Sequence, residues 1–431
     1  MNKQGIKRSK RDEAKAGANK AGIKNSGSKT ARFDVVIVGG GIVGLSFANE
    51  LADTDFSVAI IEQHELKAIS EQPDCRVSAI NRFALKRFHE TAVLQSPLAQ
   101  RMCVFEKMFV WDKTGTGQIQ FDSAELGVAE LGAIIENNVL QQMLLEKVKA
   151  AKNISCFCPV TIAEINYHAD VDFTQDEAEQ YGSRIVLTSG EKIQAKLLVG
   201  ADGVNSKVRE IAGIERFKQS YQQQGLVCNV ATSESHQNTA WQCFMPTGPL
   251  AFLPLYNGYS SIVWSLDEAQ AQQNMALDDE AFKIALAEAS EFKLGEIKDL
   301  GQRFLFPLSH GHAMQYVKPG LALIGDAAHN IHPLAGQGAN LGIADAFALA
   351  EVILAAKKAN RQWAAQHTLS KYQRQRKGAN QLMEISMSGF KELFGRQNTF
   401  LSEIRNAGLS LVDHIPALKY RIIQQALGGK G

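Results

Sequence analysis

The chain has 431 residues, of which 45% are hydrophobic, enough to bury a substantial core and to form two domains rather than three. The 46 Lys and Arg residues nearly balance the 45 Asp and Glu residues, so the formal net charge is +1. A balanced charge without a basic stripe argues against a nucleic-acid-binding enzyme.

Residues 1–32 differ in composition from the rest of the chain. They contain ten Lys or Arg against only Asp12 and Glu13, whereas the remainder carries 36 basic and 43 acidic side chains. Because this stretch has almost no large apolar residues, it is predicted to be a disordered basic tail. It lacks the apolar run of a secretory signal, and its Lys-rich composition does not match a transit peptide.

Membrane-spanning and disulfide patterns are not evident. Nowhere do about 18 consecutive apolar residues occur, so the sequence predicts no membrane-spanning segment. The six cysteines are scattered and form no CxxC pair, which is typical of reduced thiols. We therefore expect a cytoplasmic protein.

The first predicted elements form a strand, a turn and a helix. A β-branched run at residues 35–38 is typical of a strand that is buried on both faces. It leads into Gly39, Gly41 and Gly44 in a GxGxxG frame. An apolar repeat of four residues then predicts a helix, and residues 57–61 predict a second strand.

Each glycine of this frame has its own physical role. Gly39 permits the tight turn, Gly41 lets a pyrophosphate approach the backbone, and Gly44 lets the helix pack closely on the strand. The helix N-terminus supplies N–H groups and partial positive charge for phosphates. Glu62, eighteen residues after Gly44, suits a ribose diol. The unit predicts a dinucleotide site, although it does not distinguish NAD from FAD.

A second segment, at residues 195–213, repeats this arrangement on a smaller scale. Its apolar strand precedes Asp202 and Gly203, and Ser206 suits the N-cap of the helix that follows. Asp-Gly is also a common turn pair, so Asp202 taken alone fits a stabilised turn better than a binding residue.

The third segment, GDAAHNIHPLAGQGANLGIADA, occupies residues 325–346. An apolar helix follows its glycines. The N–H groups and the dipole at the N-terminus of this helix favour the binding of a planar ring that gains negative charge. His329 and His332 have the spacing of two metal ligands on a helix. However, Pro333 disfavours helical geometry at the residue before it, and no third ligand lies nearby, so no metal is predicted.

Two further regions complete the predicted elements. Residues 225–266 have strand patterns, with a hairpin turn at Asn257 and Gly258. Residues 372–427 have helical apolar spacing, which predicts helices that dock on the body of the protein. The alternative for these helices is contact with a membrane surface or a partner subunit.

Together these motifs resemble the group A flavin-dependent aromatic hydroxylases. Within that group the chain is most similar to the ubiquinone-biosynthesis hydroxylases (the UbiH, UbiF and VisC proteins), through CRVSAIN at residues 75–81 and DAAHNIHPLAGQGANLG at residues 326–342. The likeness extends from residue 33 to about residue 428. It implies an α/β fold of the p-hydroxybenzoate-hydroxylase type, with a Rossmann-like FAD-binding domain, a mainly β substrate domain and C-terminal helices.

The resemblance also implies domain boundaries. The FAD-binding domain is expected to be discontinuous, and the substrate domain to be inserted into it. The expected ranges are 1–32 for the tail; 33–110, 135–215 and 300–370 for the FAD-binding domain; 111–134 and 216–299 for the substrate domain; and 371–431 for the C-terminal helices.

The resemblance implies which residues bind FAD. The expected set is Gly39, Gly41, Gly44, Glu62, Arg76, Asn137, Asp202, Gly203, Gly325, Asp326, Pro333, Gly336, Gln337, Gly338 and Asn340. The first four should hold the ADP half, Asp326 the ribityl chain or pyrophosphate, and Pro333 with residues 336–340 the isoalloxazine ring. The alternative interpretation of Arg76 is an exposed surface arginine. Asn137 stands where many group A members have arginine.

The activity implied by the resemblance is hydroxylation of a polyprenylated phenol in ubiquinone biosynthesis. NAD(P)H, with NADPH favoured, would reduce FAD, and O₂ would then form a flavin C4a-hydroperoxide that transfers its distal OH. Because the cofactor carries this chemistry, no catalytic side chain is predicted. His329 and His332 are interpreted either as proton shuttles or as structural histidines.

The sequence is also compatible with other functions. The same fold could act on another phenol or an aromatic acid, and the chain could be a catalytically silent member of a biosynthetic assembly. A plain NAD dehydrogenase accounts for neither Asp202 with Gly203 nor the segment at residues 325–346. Because a polyprenyl chain is hydrophobic, such a substrate suggests that the protein also works peripherally at the inner membrane.

Overall fold

The computed structural model describes residues 30–169, 181–330 and 338–395, with the backbone alone at 383–395. Most of the predicted tail and the predicted site residues Pro333, Gly336 and Gln337 lie outside these ranges. Within the described ranges, the first ten strands are β1 (Ala31–Val38), β2 (Val58–Ile61), β3 (Val77–Asn81), β4 (Cys103–Phe105), β5 (Lys107–Asp112), β6 (Gln118–Asp122), β7 (Gly132–Glu136), β8 (Ile154–Phe157), β9 (Ile162–Tyr167) and β10 (Ser183–Leu187). The other ten described strands are β11 (Lys192–Gly200), β12 (Arg216–Thr232), β13 (Thr239–Met245), β14 (Gly248–Pro254), β15 (Ser260–Asp267), β16 (Ile297–Leu300), β17 (Phe304–Ala313), β18 (Val317–Lys318), β19 (Leu321–Leu323) and β20 (His329–Asn330). Helices α1 to α8 are Ile42–Glu50, Arg82–Glu90, Asn137–Ala150, Lys207–Ile211, Glu268–Ala276, Asp279–Ala289, Gly338–Lys358 and Gln366–Gly395.

The first sheet contains the predicted strand–turn–helix unit. Its strand order is β18-β19-β11-β1-β2-β8, and β10 joins β11 to β9. Strands β19, β11, β1 and β2 are neighbours and run parallel. Val35, Val36 and Ile37 are fully buried because the layers on both faces of β1 cover it, which confirms the predicted strand.

The second sheet has nine strands in the order β20-β17-β12-β15-β14-β13-β5-β6, with β16 paired to β12. The predicted hairpin is confirmed: β14 and β15 are antiparallel, and the turn between them places Gly258 at φ +85°, a conformation that favours glycine. Strand β17, at residues 304–313, pairs along β12 in this sheet. The domain boundaries given above remain a prediction.

A three-stranded sheet, β3-β7-β4, lies between the two larger sheets. Ile80 and Ile135 belong to the core around the first sheet. Ile134 packs instead with Ala251 and Leu253 of the nine-stranded sheet. We call the face of the nine-stranded sheet that bears Ala251 and Leu253 the inner face, because it faces the nucleotide-binding unit.

The opposite face of the nine-stranded sheet is called the outer face. It presents Phe252 and Trp264, which pack with Phe282 and Leu286 of α6 in a separate core. The alternation of side chains along β14 and β15 therefore assigns every residue of these strands to one face or the other.

Helix α7 was predicted as a strongly apolar helix, and it is the one described helix that is long and apolar enough to cross a membrane. However, 61% of its most apolar 18-residue window is buried within the protein. Ile343, Phe347 and Leu349 belong to the core around the first sheet. The composition of α7 is thus explained by its central position in the fold.

Candidate functional site

The first loop of the site follows β1, and its glycines fit their predicted roles. Gly39 has φ +108°, and a Cβ there would lie 2.3 Å from the carbonyl oxygen of Ala201. A Cβ on Gly44 would lie 2.1 Å from the carbonyl oxygen of Gly39. Neither position tolerates a side chain, because the turn, α1 and the loop after β11 meet there at backbone distance.

Gly41 differs from these two glycines. It is the N-cap of α1 at φ −74°, and no side chain caps this end of the helix. A Cβ on Gly41 would meet nothing within 4 Å. The bare N-terminus of α1 therefore faces open space, and a pyrophosphate fits this cradle through the N–H groups and the helix dipole.

Glu62 directly follows β2 and turns back onto the first loop. Its Oε2 accepts a hydrogen bond of 2.7 Å from the Gly40 N–H, and its Oε1 accepts one of 2.8 Å from the His64 N–H. An ionised carboxylate has about four lone-pair sites, so two remain for the hydroxyls of a ribose. Glu62 thus shapes the loop and leaves acceptors for the sugar beside it.

The second loop follows β11 and is organised by its aspartate. Oδ2 of Asp202 accepts from the Val208 N–H at 3.2 Å, and Ser206 caps α4 by accepting from the Arg209 N–H at 3.0 Å. Oδ1 of Asp202 is buried and has no hydrogen-bond partner among the described residues. Asp202 therefore stabilises the turn with one oxygen and offers the other to a ligand.

Two arginines hold the second loop to the third, and sequence reasoning did not identify either of them. Arg209 donates to the carbonyl oxygens of Ala327 at 2.8 Å and Val204 at 3.0 Å. Arg216 donates to the Val204 carbonyl oxygen at 2.9 Å and also bonds Oδ1 of Asn330. Burial lowers the pKa of both guanidinium groups. Arg209 carries one sequence signal, as an arginine in the short helix that follows the Asp-Gly turn, whereas Arg216 begins strand β12.

The third loop follows β19 and approaches α1 and α7 closely. Gly325 has φ +60°, and a Cβ there would lie 3.1 Å from Cγ1 of Val43. A Cβ on Gly342 would lie 2.6 Å from Cγ2 of the same valine. Close packing beneath the loop requires glycine at 342, and the positive φ of Gly325 favours glycine there, in addition to any contact with a ligand.

Asp345 of α7 is the anchor of the third loop. It is fully buried; its Oδ2 accepts from the Gly325 N–H at 3.1 Å and bonds Nε2 of His329, while its Oδ1 accepts from Nε of Arg376 at 2.7 Å. Burial opposes ionisation of Asp345, but His329 and Arg376 outweigh it and lower the pKa to about 2. These contacts favour the structural interpretation of His329 over the proton shuttle.

This buried charge cluster predicts an acid dependence of stability. The folded pKa of about 2 lies below the ordinary value of 3.8, so the stabilisation by Asp345 is complete above about pH 4 and is lost as the pH falls through 2. The difference in unfolding free energy between wild type and Asp345→Asn should shrink over that interval. Urea unfolding at a series of pH values measures it, and a difference unchanged at about pH 2 would contradict the assignment.

Asp326 is placed differently from its neighbours. Its side chain is solvent-accessible, and its carboxylate forms no hydrogen bond to the described residues. Desolvation by the surrounding protein nevertheless raises its pKa, against the opposing effect of His329 and Arg216. An accessible, uncommitted carboxylate beside the third loop suits the hydroxyls of a ribityl chain.

Arg76 is exposed, and its guanidinium lies 5.4 Å from the centroid of the Phe306 ring. The loop before it is held by the nine-stranded sheet: Asn229 donates to the Pro73 carbonyl oxygen at 2.7 Å, and Ser261 to that of Cys75 at 2.9 Å. Arg76 therefore lies between the inner face and the nucleotide-binding loops. Its contact with FAD remains a prediction.

Asn137 and Asn340 have structural partners in the described fold. Asn137 begins α3, and its side chain accepts a hydrogen bond from Ser78 at 2.7 Å. One turn later, Gln141 donates to the Gly40 carbonyl oxygen at 2.6 Å, a contact with the first loop that the sequence did not indicate. Asn340 accepts from the Asn81 N–H at 2.9 Å and donates to the Ala79 carbonyl oxygen, which fixes the start of α7 to β3. Direct contacts of Asn137, Gly338 or Asn340 with FAD remain predictions.

The comparison with known protein families agrees with this geometry. Residues 32–385 match the FAD binding domain family. The chain is 36% identical over 397 residues to 3-demethoxyubiquinol 3-hydroxylase of Escherichia coli K12, covering 92% of this chain and 98% of that protein. It is 31% identical over 436 residues to the human mitochondrial ubiquinone biosynthesis monooxygenase COQ6, covering 91% of this chain and 92% of COQ6.

Solved structures with similar folds were also found. The p-nitrophenol 4-monooxygenase PnpA of Pseudomonas putida superposes with a TM-score of 0.74 at 18% identity, over 94% of this chain and 100% of that one. PqsL, a probable FAD-dependent monooxygenase from Pseudomonas aeruginosa, gives 0.71 at 21% identity, over 88% and 99% of the two chains. These identities are evidence of a shared fold alone. The predicted fold class and the predicted FAD cofactor are confirmed.

Proposed function

The chain belongs to the FAD binding domain family and, within it, to the ubiquinone-biosynthesis flavoprotein monooxygenases, and from this premise we propose that it hydroxylates the aromatic ring of a polyprenylated phenol with NAD(P)H and O₂. FAD is its cofactor, a monooxygenation is its reaction type, and a small phenolic molecule is its substrate. The polyprenyl tail and the preference for NADPH are parts of the proposal.

The observation that carries the proposal is the convergence of four loops at one sheet edge. Strands β19, β11, β1 and β2 are parallel neighbours, and a site residue follows each: Gly325, Asp202, Gly39 and Glu62. Ligands of open parallel sheets bind at the carboxyl ends of their strands. The open cradle at Gly41 lies at the same edge.

The described residues divide the binding of FAD among them. The α1 N-terminus at Gly41 would hold the pyrophosphate, Glu62 the adenosine ribose, and Asp326 the ribityl chain. When bound, the flavin supplies acceptance of a hydride from NAD(P)H and activation of O₂. Asp345 and Arg209 fix the loops that carry these contacts, so the protein orients the ring before substrate arrives.

The inner face of the nine-stranded sheet favours a neutral phenol over an aromatic acid. An acid would need a cationic partner in its pocket, because a buried carboxylate without one is costly. Arg76 lies beside Phe306 at one side of this face, whereas the central part presents only uncharged side chains: Val227, Asn229, Ala240, Gln242, Ala251, Leu253, Ser261, Val263 and Ser265. Its apolar members also exclude water from the reacting ring.

Turnover with matched substrates tests the proposed function. Purified protein with FAD and NADPH would be given a short-chain demethoxyubiquinol or an aromatic acid of similar ring size. We expect hydroxylated product, with NADPH oxidation accelerated by the phenol alone. Preference for the acid would contradict the proposal, and so would a wild-type protein that binds FAD and hydroxylates neither compound. The latter result would support the alternative that the chain is a catalytically silent member of a biosynthetic assembly.

We also propose that the enzyme works in the cytoplasm at the surface of the inner membrane. A polyprenylated substrate concentrates in the bilayer, and helices of the C-terminal region could contact lipid. Part of that region, residues 396–431, lies outside the described structure. Flotation of the full chain with liposomes of anionic and neutral lipids should give co-migration, whereas protein that stays at the bottom of the gradient in both cases would contradict the proposal.

A further inference from the structure

We propose that Gln242 and Ser265 bind oxygen substituents of the substrate ring and determine which phenol the enzyme accepts. The inference rests on the proposed function, because it assigns the polar contacts of that same substrate. Both residues lie in the nine-stranded sheet, Gln242 on β13 and Ser265 on β15. Both are buried, at 7% and 1% exposure.

The strand register places both side chains on the inner face. Gln242 is paired with Ala251, and Ala251 with Val263, in a row across β13, β14 and β15. Ala251 and Val263 pack in the core between this sheet and the three-stranded sheet. Ser265 lies two residues after Val263 and so points the same way, because side chains alternate along a strand.

Three other polar side chains of the inner face use their donor groups within the fold, although Oδ1 of Asn229 is also buried without a partner among the described residues. Asn229 and Ser261 donate to the backbone of the loop before Arg76. Gln223 donates to the Thr247 carbonyl oxygen at 2.6 Å. These three residues hold the fold together and are not available for a ligand through the same donors.

Gln242 and Ser265 differ from them in this respect. Oγ of Ser265 is buried and has no hydrogen-bond partner within the described ranges. The amide of Gln242 likewise makes no hydrogen bond with the described residues. A buried hydroxyl in a protein nearly always has a partner, so the unpaired Oγ of Ser265, on the same face as an amide that makes no bond to the described residues, indicates a ligand or water.

The chemistry and spacing of the two groups match an oxygenated aromatic ring. A serine hydroxyl and a glutamine amide each donate and accept hydrogen bonds, and neither carries charge. They therefore suit phenolic hydroxyl and methoxyl groups better than a carboxylate. Two strand spacings and two residue rises separate their Cα atoms by roughly 12 Å, a span that a ring with oxygens on two sides can bridge.

Such contacts determine specificity more than they determine rate. A site built to hydrogen-bond a substrate oxygen discriminates strongly against an analogue without it, because its own polar groups then stay unpaired. An apolar pocket of the same shape would accept both compounds almost equally.

The test uses Ser265→Ala, Gln242→Met and the control Ser260→Ala in the FAD-loaded full-length enzyme. Ser260 is on the same strand, is equally buried at 1%, and its Oγ also lacks a partner among the described residues. However, it is paired with Val230 of the outer-face core. The substrates are a short-chain methoxyphenol and its analogue with methyl in place of methoxyl.

Wild type and Ser260→Ala should have a higher kcat/KM for the methoxyphenol than for its methyl analogue. In Ser265→Ala or Gln242→Met, the ratio of these two kcat/KM values should fall about 10-fold, because the KM for the methoxyphenol rises. Fluorescence titration should show the same loss in Kd without turnover. Unchanged preference and Kd in both inner-face variants, or an equal loss in Ser260→Ala, would overturn the inference. A wild type that binds the ring but does not hydroxylate it would instead overturn the proposed function.

Discussion

Replacing Asp345 by asparagine should lower the free energy of unfolding by about 3 kcal/mol at neutral pH. The substitution keeps the shape of the side chain but removes the charge that pairs with Arg376, which is 12% exposed, and with the buried His329. A buried charge that loses its partner is costly, because neither water nor another group replaces it. The free energy would be measured by urea denaturation at about pH 7.

The same variant should also bind FAD more weakly, because Asp345 holds the Gly325 N–H at the base of the third loop. Glu351→Gln is the matched control, since Glu351 lies on the same helix and is exposed. We expect the control to change stability by less than about 0.5 kcal/mol. If Asp345→Asn behaved like Glu351→Gln, the buried cluster would not anchor the loop.

Replacing Gly41 by alanine should weaken FAD binding roughly 100-fold, because a displacement of about 1 Å in a binding loop has effects of that size. The added methyl group enters the space where the pyrophosphate is expected, yet in the protein itself it meets nothing within 4 Å. Stability without FAD should therefore change by no more than about 1 kcal/mol, the range of N-cap substitutions. Flavin fluorescence during titration gives the affinity.

Substitutions of two other glycines serve as controls for this experiment. Gly378→Ala in α8 also adds a methyl group in open space but lies outside the nucleotide loops, so its FAD affinity should equal that of wild type. Gly44→Ala should disrupt the folded protein itself, since its Cβ would lie 2.1 Å from the Gly39 carbonyl oxygen. Normal FAD binding by Gly41→Ala would show that the pyrophosphate lies elsewhere.

The local parts of the site could be predicted from the sequence. The GxGxxG turn, Glu62 at the end of β2 and Asp202 after β11 each depend on residues close in the chain. Strand patterns and glycine spacing are short-range signals, so they indicate these loops directly. The order of the parallel strands then explains why loops distant in sequence meet at one edge.

The residues that support the loops could not be predicted in the same way. Arg209 reaches Ala327 across 118 positions, and Asp345 reaches Arg376 across 31, so no local pattern connects them. Asp345 did carry one usable signal, as one of the two acids within the apolar helix α7, the other being the exposed Glu351. A charged residue at such a position is either exposed or paired inside the core, and the structure shows that it is paired.

The inner face shows a similar limit. The apolar alternation predicted the strands of the hairpin, but not which polar residues are bonded to neighbouring loops. Asn229 and Ser261 are distinguished from Ser265 only by the loop before Arg76, which contacts the first two. Register and tertiary contacts, rather than composition, therefore separate structural polar groups from available ones.

Mass spectrometry of the product formed under ¹⁸O₂ tests the central claim most directly. The FAD-loaded enzyme would be supplied with NADPH and a short-chain demethoxyubiquinol, and unlabelled water would be the solvent. A monooxygenase with this site places one ¹⁸O atom on the ring of each hydroxylated molecule. Product without label, or NADPH oxidation that yields only hydrogen peroxide, would contradict the assignment.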